Sequence, residues 1–228
     1  MSIVERTGIV SKTSPESKLY HAIAADNVPR VAELLPLVAN VNNNLDLLGE
    51  AVRRSKDGET VRMLLERGAS MVVAQGRQPY IIQAVSYGRV CPMTVGHLIA
   101  HGASPNTQSR EGATLLSVVL RRFDVMASEV AMLVDAGASL NLRGADGDTA
   151  INHFVRLPVL DDPEWYSVMR TLVARTGDFS MPDAQGITGI QRLQDHIDRR
   201  HVTQHGTVWL VRLFGGRLRM PRPVASTA

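Results

Sequence analysis

The chain has 228 residues, 44% of them hydrophobic, and a formal net charge of +3; this composition is ordinary for a globular protein, and no apolar run reaches the roughly 20 residues a membrane span needs. A single cysteine, Cys91, excludes an internal disulfide framework and fits a reducing compartment. The basic residues are almost all arginine, with Lys12, Lys18 and Lys56 the only lysines; arginine's planar fork suits carboxylates and phosphates, so its placement matters more than the total.

Residues 1–14 are polar and lack the apolar core of about 7–15 residues that marks a Sec-type signal. They are expected to be flexible. A cytoplasmic location fits them, and so does delivery into a host cell by a specialised secretion system. Ser14-Pro15-Glu16 reads as a helix start, with Ser as N-cap, Pro in the first helical position and an acid in the first turn. Leu19, Ala22 and Ile23 then form one helical stripe and Val31, Leu34 and Leu35 a second, separated by a turn that Pro29 closes.

The same two-helix pattern recurs. Leu47, Leu48, Ala51 and Val52 pair with Val61, Leu64 and Leu65, and Ile81, Ile82, Ala84 and Val85 pair with Val95, Leu98 and Ile99. Further units open at Gly112-Ala-Thr114, Gly147-Asp-Thr149 and Gly186-Ile-Thr188, where glycine allows the turn and threonine caps the helix that follows. The best-kept second helix is Val130–Asp135, which stops at Gly137 because a side chain there would cost about 1–2 kcal/mol. Ala138 lets the turn pack closely, and Asn141 is placed to bond the loop that follows. Gly68, Gly102 and Gly137 stand 34 and 35 residues apart, the interval of a helical repeat.

The later units are less regular. Thr176-Gly177 is read as a shifted Gly-Ala ending, Leu157–Pro163 as an inserted loop after which Asp162-Pro163-Glu164 restarts the helix, and His196–Thr207 as a stretch within the last unit. Trp165 and Trp209 are read as bulky filler.

The pattern is similar to the ankyrin repeat, a β-turn plus two antiparallel helices. The family's Gly-x-Thr-Pro-Leu-His phrase stands here as Gly112-Ala-Thr-Leu-Leu-Ser117, and its Leu-Leu-x-x-Gly-Ala-x-x-Asn phrase as Leu133–Asn141. The resemblance implies an all-α solenoid of stacked helix-turn-helix repeats joined by β-turn or hairpin loops. Its approximate units are 15–43, 44–74, 75–109, 110–144, 145–183 and 184–216, followed by a basic, Pro-containing tail at 217–228.

No Gly-rich phosphate loop, Gly-x-Ser-x-Gly elbow or cysteine zinc spacing is present. The expected chain is therefore not an enzyme and carries no cofactor or metal. A rival metal reading gathers His196, His201 and His205 with Asp195 and Asp198 around zinc, whereas His97 and His101 read as helix-end residues.

The resemblance places partner binding on the hairpin tips and the exposed ends of the first helices. Mapped residue by residue, these carry Arg77, Arg110, Glu111, Arg143 and Asp146 at the tips, and Arg53, Arg54, Arg121, Arg122 and Arg156 at the helix ends. A recurring arginine track suits the acidic surface of another protein, bound by a chain otherwise expected to be monomeric. Such a chain fits a bacterial or viral effector or a toxin-immunity protein. The alternative is a nucleic-acid-associated protein that uses this track and the seven arginines between Arg192 and Arg222.

Overall fold

The computed structural model describes residues 14–42, 45–86, 91–157, 162–199 and 201–221. All of the stretch expected to be flexible except Ser14 lies outside them, as do most of the turn at 88–92, most of the loop inserted at 157–163 and the end of the basic tail. Twelve α-helices and no strand occur among the described residues: α1 Pro15–Ala24, α2 Val28–Leu34, α3 Leu47–Arg54, α4 Glu59–Glu66, α5 Tyr80–Ser86, α6 Pro92–Ala100, α7 Leu115–Leu120, α8 Ala127–Asp135, α9 Ala150–Arg156, α10 Pro163–Ala174, α11 Gly189–Asp198 and α12 Gln204–Leu213. None of them is long and apolar enough to cross a membrane.

Six helices, α1–α6, lie in a compact unit spanning 1–110 and six, α7–α12, in another spanning 111–228; consecutive helices pack together as α1 on α2, α3 on α4, α5 on α6 and α7 on α8. In the first unit the leading helices α1, α3 and α5 pack on one another in order, as do the trailing helices α2, α4 and α6. In the second unit α7 packs on α9 and α9 on α11, while α8 packs on α10. The apolar stripes read from the sequence are what these contacts bury: Leu19, Val31, Leu47, Leu64, Ile82, Leu98, Leu116 and Leu133 are all nearly inaccessible. A buried aliphatic side chain contributes roughly 1.5–3 kcal/mol before ordering costs, and no single pair of short helices could hide both its faces.

Local chemistry sets the helix ends. Ser14, Thr114, Thr149 and Thr188 each accept a bond from the backbone N–H three residues on, satisfying groups the helix leaves open. Asn152 and Gln191 return the bond to the N–H of Thr149 and Thr188, a reciprocal cap. Gly144 and Asp148, like Asp183 and Ile187, close the short turns before α9 and α11 through backbone bonds, beside the isolated bridges Arg143–Thr149 and Pro182–Thr188.

The trailing helices stop as expected. Gly68, Gly102 and Gly137 hold φ of 87°, 99° and 97°, and the N–H of Ala69, Ala103 and Ala138 reaches back to Leu64, Leu98 and Leu133. The asparagines that follow reach further than expected. Asn42 bonds Gly68 and Ser70 in the next repeat, and Asn141 accepts from the N–H of Asp178, so these side chains tie one repeat to its neighbour.

Two irregular places differ from the sequence reading. Thr176-Gly177 is not shifted: Gly177 donates to Leu172 just as Ala138 donates to Leu133, and Thr176 itself takes the left-handed position at φ 59°. Glycine stands instead at the packing position, where a Cβ would come within 2.7 Å of Ile151 Cδ1 and 2.8 Å of the Leu172 carbonyl. A β-branched residue is strained in that conformation. Thr176→Gly is therefore expected to stabilise the chain by about 1 kcal/mol, raising the melting temperature by about 2–4 °C; an unchanged or lower Tm in calorimetry would refute the strain. The second difference is the start of the basic tail. Leu218 is buried, and Gln194 both donates to and accepts from the Arg219 backbone, so the chain stays fastened to α11 beyond Gly216.

The aromatic residues fill the later repeats. Trp165 is buried and stacks on Phe154 with ring centroids 5.6 Å apart, and Tyr166 meets Trp209 edge-on at 4.8 Å.

Candidate functional site

The arginines picked out from the sequence do not stand alone. In the first unit Asp46 caps α3 in a left-handed conformation, φ 49°, which aspartate tolerates better than most residues. Its carboxylate accepts from the N–H of Gly49 at 3.1 Å and from the Tyr80 hydroxyl at 2.7 Å, and forms an ion pair with Arg77. Burial, together with the bond to Asp46, keeps the Tyr80 phenol protonated far above its usual range. One turn into α3, the buried Glu50 accepts from Arg53 Nη2 at 2.7 Å and from Arg54 Nε at 3.0 Å. Burial alone would raise its pKa, but the two guanidinium groups bring it below the usual value. The other nitrogen of the Arg53 fork donates to Gln83 in the next repeat at 3.1 Å. Arg110 donates its backbone N–H to Gln78 and its side chain to the Gly76 carbonyl.

The second unit extends the same scheme. Arg121 reaches Asp146 Oδ2 and His153 Nε2, each at 2.7 Å. The His153 side chain is only 10% exposed, and burial followed by the Arg121 charge lowers its pKa. Arg143 bonds the carbonyls of Gly147 and Pro182. Arg156 spans two repeats: Nη1 holds Asp148, and Nη2 holds Asp183 at 2.9 Å and Gln185 at 3.1 Å. Arg192 grips Asp183 from the other side through Nε at 3.0 Å and Nη2 at 2.6 Å. The side chain of Asp183 has no solvent exposure. Burial would raise its pKa, but Arg192, Arg156 and the backbone N–H groups of Ile187 and Gln185 hold it far below the carboxylate range.

Known structures share this arrangement of helix pairs. An ankyrin repeat domain from Acinetobacter baumannii AYE matches with a TM-score of 0.66 at 21% identity, covering 82% of this chain and 94% of that one. A second ankyrin repeat protein also reaches 0.66, at 18% identity, covering 89% of this chain and 98% of its own. The fold is the ankyrin repeat. No family model and no curated protein matches the sequence.

On the ankyrin frame, the tips and leading-helix ends of each unit carry a ladder in which arginine and carboxylate alternate. Arg53, Arg77, Arg121 and Arg156 all belong to it. Arg143 and Arg110 brace the turns through carbonyls, Arg54 remains largely exposed beside Glu50, and Glu111 lies exposed at the tip. Arg122 does not share the face: only 14% exposed, it turns toward Asp124 and Glu129 at the start of α8.

The sequence reading missed Asp46, Glu50, Asp148 and Asp183, and counted Arg192 only in the C-terminal basic region. No fixed offset marks these pairs: Asp46 and Arg77 stand 31 residues apart, Arg121 and Asp146 25, and Arg156 and Asp183 27, with the acid first in one pair and second in the other two.

The histidines do not assemble as the zinc reading requires. His196 and His201 lie 5.8 Å apart between ring centroids, but His196 Nε2 is bonded to the Val155 carbonyl at 3.1 Å, and burial lowers its pKa. His101 bonds the His97 carbonyl at the end of α6. Among the described residues, the side chains with metal-ligand atoms within 4.8 Å of one another are Asp146, Asp148 and His153. Arg121 and Arg156 already occupy those carboxylates, so charge there is balanced by guanidinium groups, and a further cation would be repelled.

Proposed function

We propose that this chain is a non-enzymatic binding module that engages the acidic surface of another protein through its hairpin tips and leading-helix ends. The supporting observation is the recurrence of half-exposed arginines, Arg77 and Arg121 among them, fixed by carboxylates on one face of each unit. Arginine forks so placed can exchange or share their bonds with carboxylates of a partner, giving specificity through paired N–H···O contacts. Occluding a surface in this way suits an effector acting on a host protein and an immunity protein covering a toxin.

The test is quantitative affinity capture from the source cell, comparing the native chain with Arg77→Glu and Arg121→Glu. Arg170→Glu, exposed on the trailing helix α10, serves as control. A partner lost by the first two variants and kept by the third supports the reading. Equal recovery by all three would refute it. Duplex or single-stranded DNA or RNA bound at low salt, with affinity falling steeply as salt rises, would move the function to nucleic acid.

A further inference from the structure

Between α9 and the end of α11 lies a cleft of about 360 Å³ lined by Arg156, Arg192, Asp195, His196, Arg199 and His201. Asp148 and Asp183 sit beneath it, buried and fully engaged by Arg156 and Arg192. From the solvent side the walls therefore present three guanidinium groups and two imidazoles against one carboxylate, Asp195. The donors differ in availability. Arg156 uses both Nη atoms internally. Arg192 commits Nε and Nη2 to Asp183, which fixes its plane and leaves Nη1 over. Arg199 is exposed, and its side chain has no partner among the described residues.

We propose that this cleft is a carboxylate-binding subsite that takes a glutamate or aspartate side chain of an acidic peptide segment. The assignment rests on the reading of the chain as a binder of an acidic partner, and it names where one acidic side chain would enter. Arg192, pre-set by Asp183, and the exposed fork of Arg199 supply directed charged donors of the kind that hold carboxylates. Asp195 in the wall, together with Asp148 and Asp183 bonded to Arg156 and Arg192, offsets the three guanidinium charges, so a monoanionic carboxylate is a closer charge match than a dianionic phosphate. Metal is not the occupant, because His196 spends Nε2 on Val155 and the lining is predominantly cationic.

The test is an NMR titration of the full chain with tetraglutamate, alongside tetraglutamine and a phosphoserine tetrapeptide. Tetraglutamate is expected to shift the backbone amides of Arg192, Arg199 and His201, while tetraglutamine has no effect. Arg199→Ala, a change at an exposed side chain with no partner among the described residues, should weaken tetraglutamate about tenfold, the size of one charged hydrogen bond. Unchanged affinity in Arg199→Ala, or equal binding of tetraglutamine, would overturn the subsite, and tighter binding of the phosphopeptide would overturn its preference for carboxylate. Should tetraglutamate instead shift amides around Arg53 and Arg77, the subsite fails while the acidic-partner reading stands; binding nowhere defeats both.

Discussion

Asp183→Asn is expected to lower the unfolding free energy of the second unit by about 3 kcal/mol. The carboxylate is completely buried, accepts from the backbone N–H of Gln185 and Ile187, and holds Arg156 and Arg192 together. Asparagine can keep one oxygen for the two backbone donors, but it would then turn an NH2 group toward two guanidinium forks. Breaking a buried ion pair by removing one partner costs about 3–5 kcal/mol. The lower end applies here because Arg156 and Arg192 keep about a quarter of their side-chain exposure, 27% and 25%, and with it part of their hydration. Chemical denaturation followed by far-UV circular dichroism measures the difference, and a loss below about 1 kcal/mol, the range of exposed pairs, would show that the ladder is a surface feature.

The pH dependence separates the contributions. Asp183 has a folded pKa depressed below its unfolded value, so its stabilisation is complete above about pH 4 and is lost as pH falls further. His153 and His196 are also depressed. The unfolded chain takes up their protons first, and stability declines as pH drops below about 6.5. Asp183→Asn should flatten the acid limb and leave the histidine limb in place. An unchanged acid limb would contradict the assignment.

The other large effect belongs to the core. Phe154→Ala should destabilise by about 3–5 kcal/mol, the cost of emptying a large aromatic site. Phe154 is 1% exposed and forms one side of the stack with Trp165, so α9 and α10 would lose that contact. Repeats depend on their neighbours for burial; the loss should therefore spread through the second unit, and Trp165 emission should shift to the red at lower denaturant concentration. Phe123 provides the contrast. It is 72% exposed, and Phe123→Ala should change stability by no more than about 0.5 kcal/mol. Similar losses from the two substitutions would mean that the stack does not organise the unit.

The packing frame was legible because its signals are local. Gly137 and its counterparts mark helix ends by backbone sterics, Thr149 and Thr188 mark helix starts by a bond three residues long, and the stripes follow the helical period. Thr176 misled because the same rule says a β-branched residue should not stand at φ 59°; only neighbouring packing, which leaves no room for a Cβ at Gly177, explains the order of the pair. Leu218 misled for another reason: one leucine among glycine, arginine and proline gives no periodicity, although a single buried side chain fastens that segment.

The candidate site divided in a similar way. The arginine positions could be aligned by counting along the repeats. Their carboxylate partners could not, because Asp46, Asp148 and Asp183 come from turns whose side chains meet the arginines only after the helices stack. Arg121 and Arg122 show the limit. They are adjacent in sequence and were assigned one role, yet Arg121 joins the ladder while Arg122 turns inward to Glu129 at 3.4 Å.

The ladder has a consequence for motion. A free arginine side chain carries about 2 kcal/mol of rotamer entropy, and binding through a loose one must first freeze it. Arg53, Arg156 and Arg192 are each held at two or more points, so folding has already frozen them. A carboxylate arriving at either unit meets fixed forks rather than moving chains, which removes the side-chain ordering part of the cost of binding.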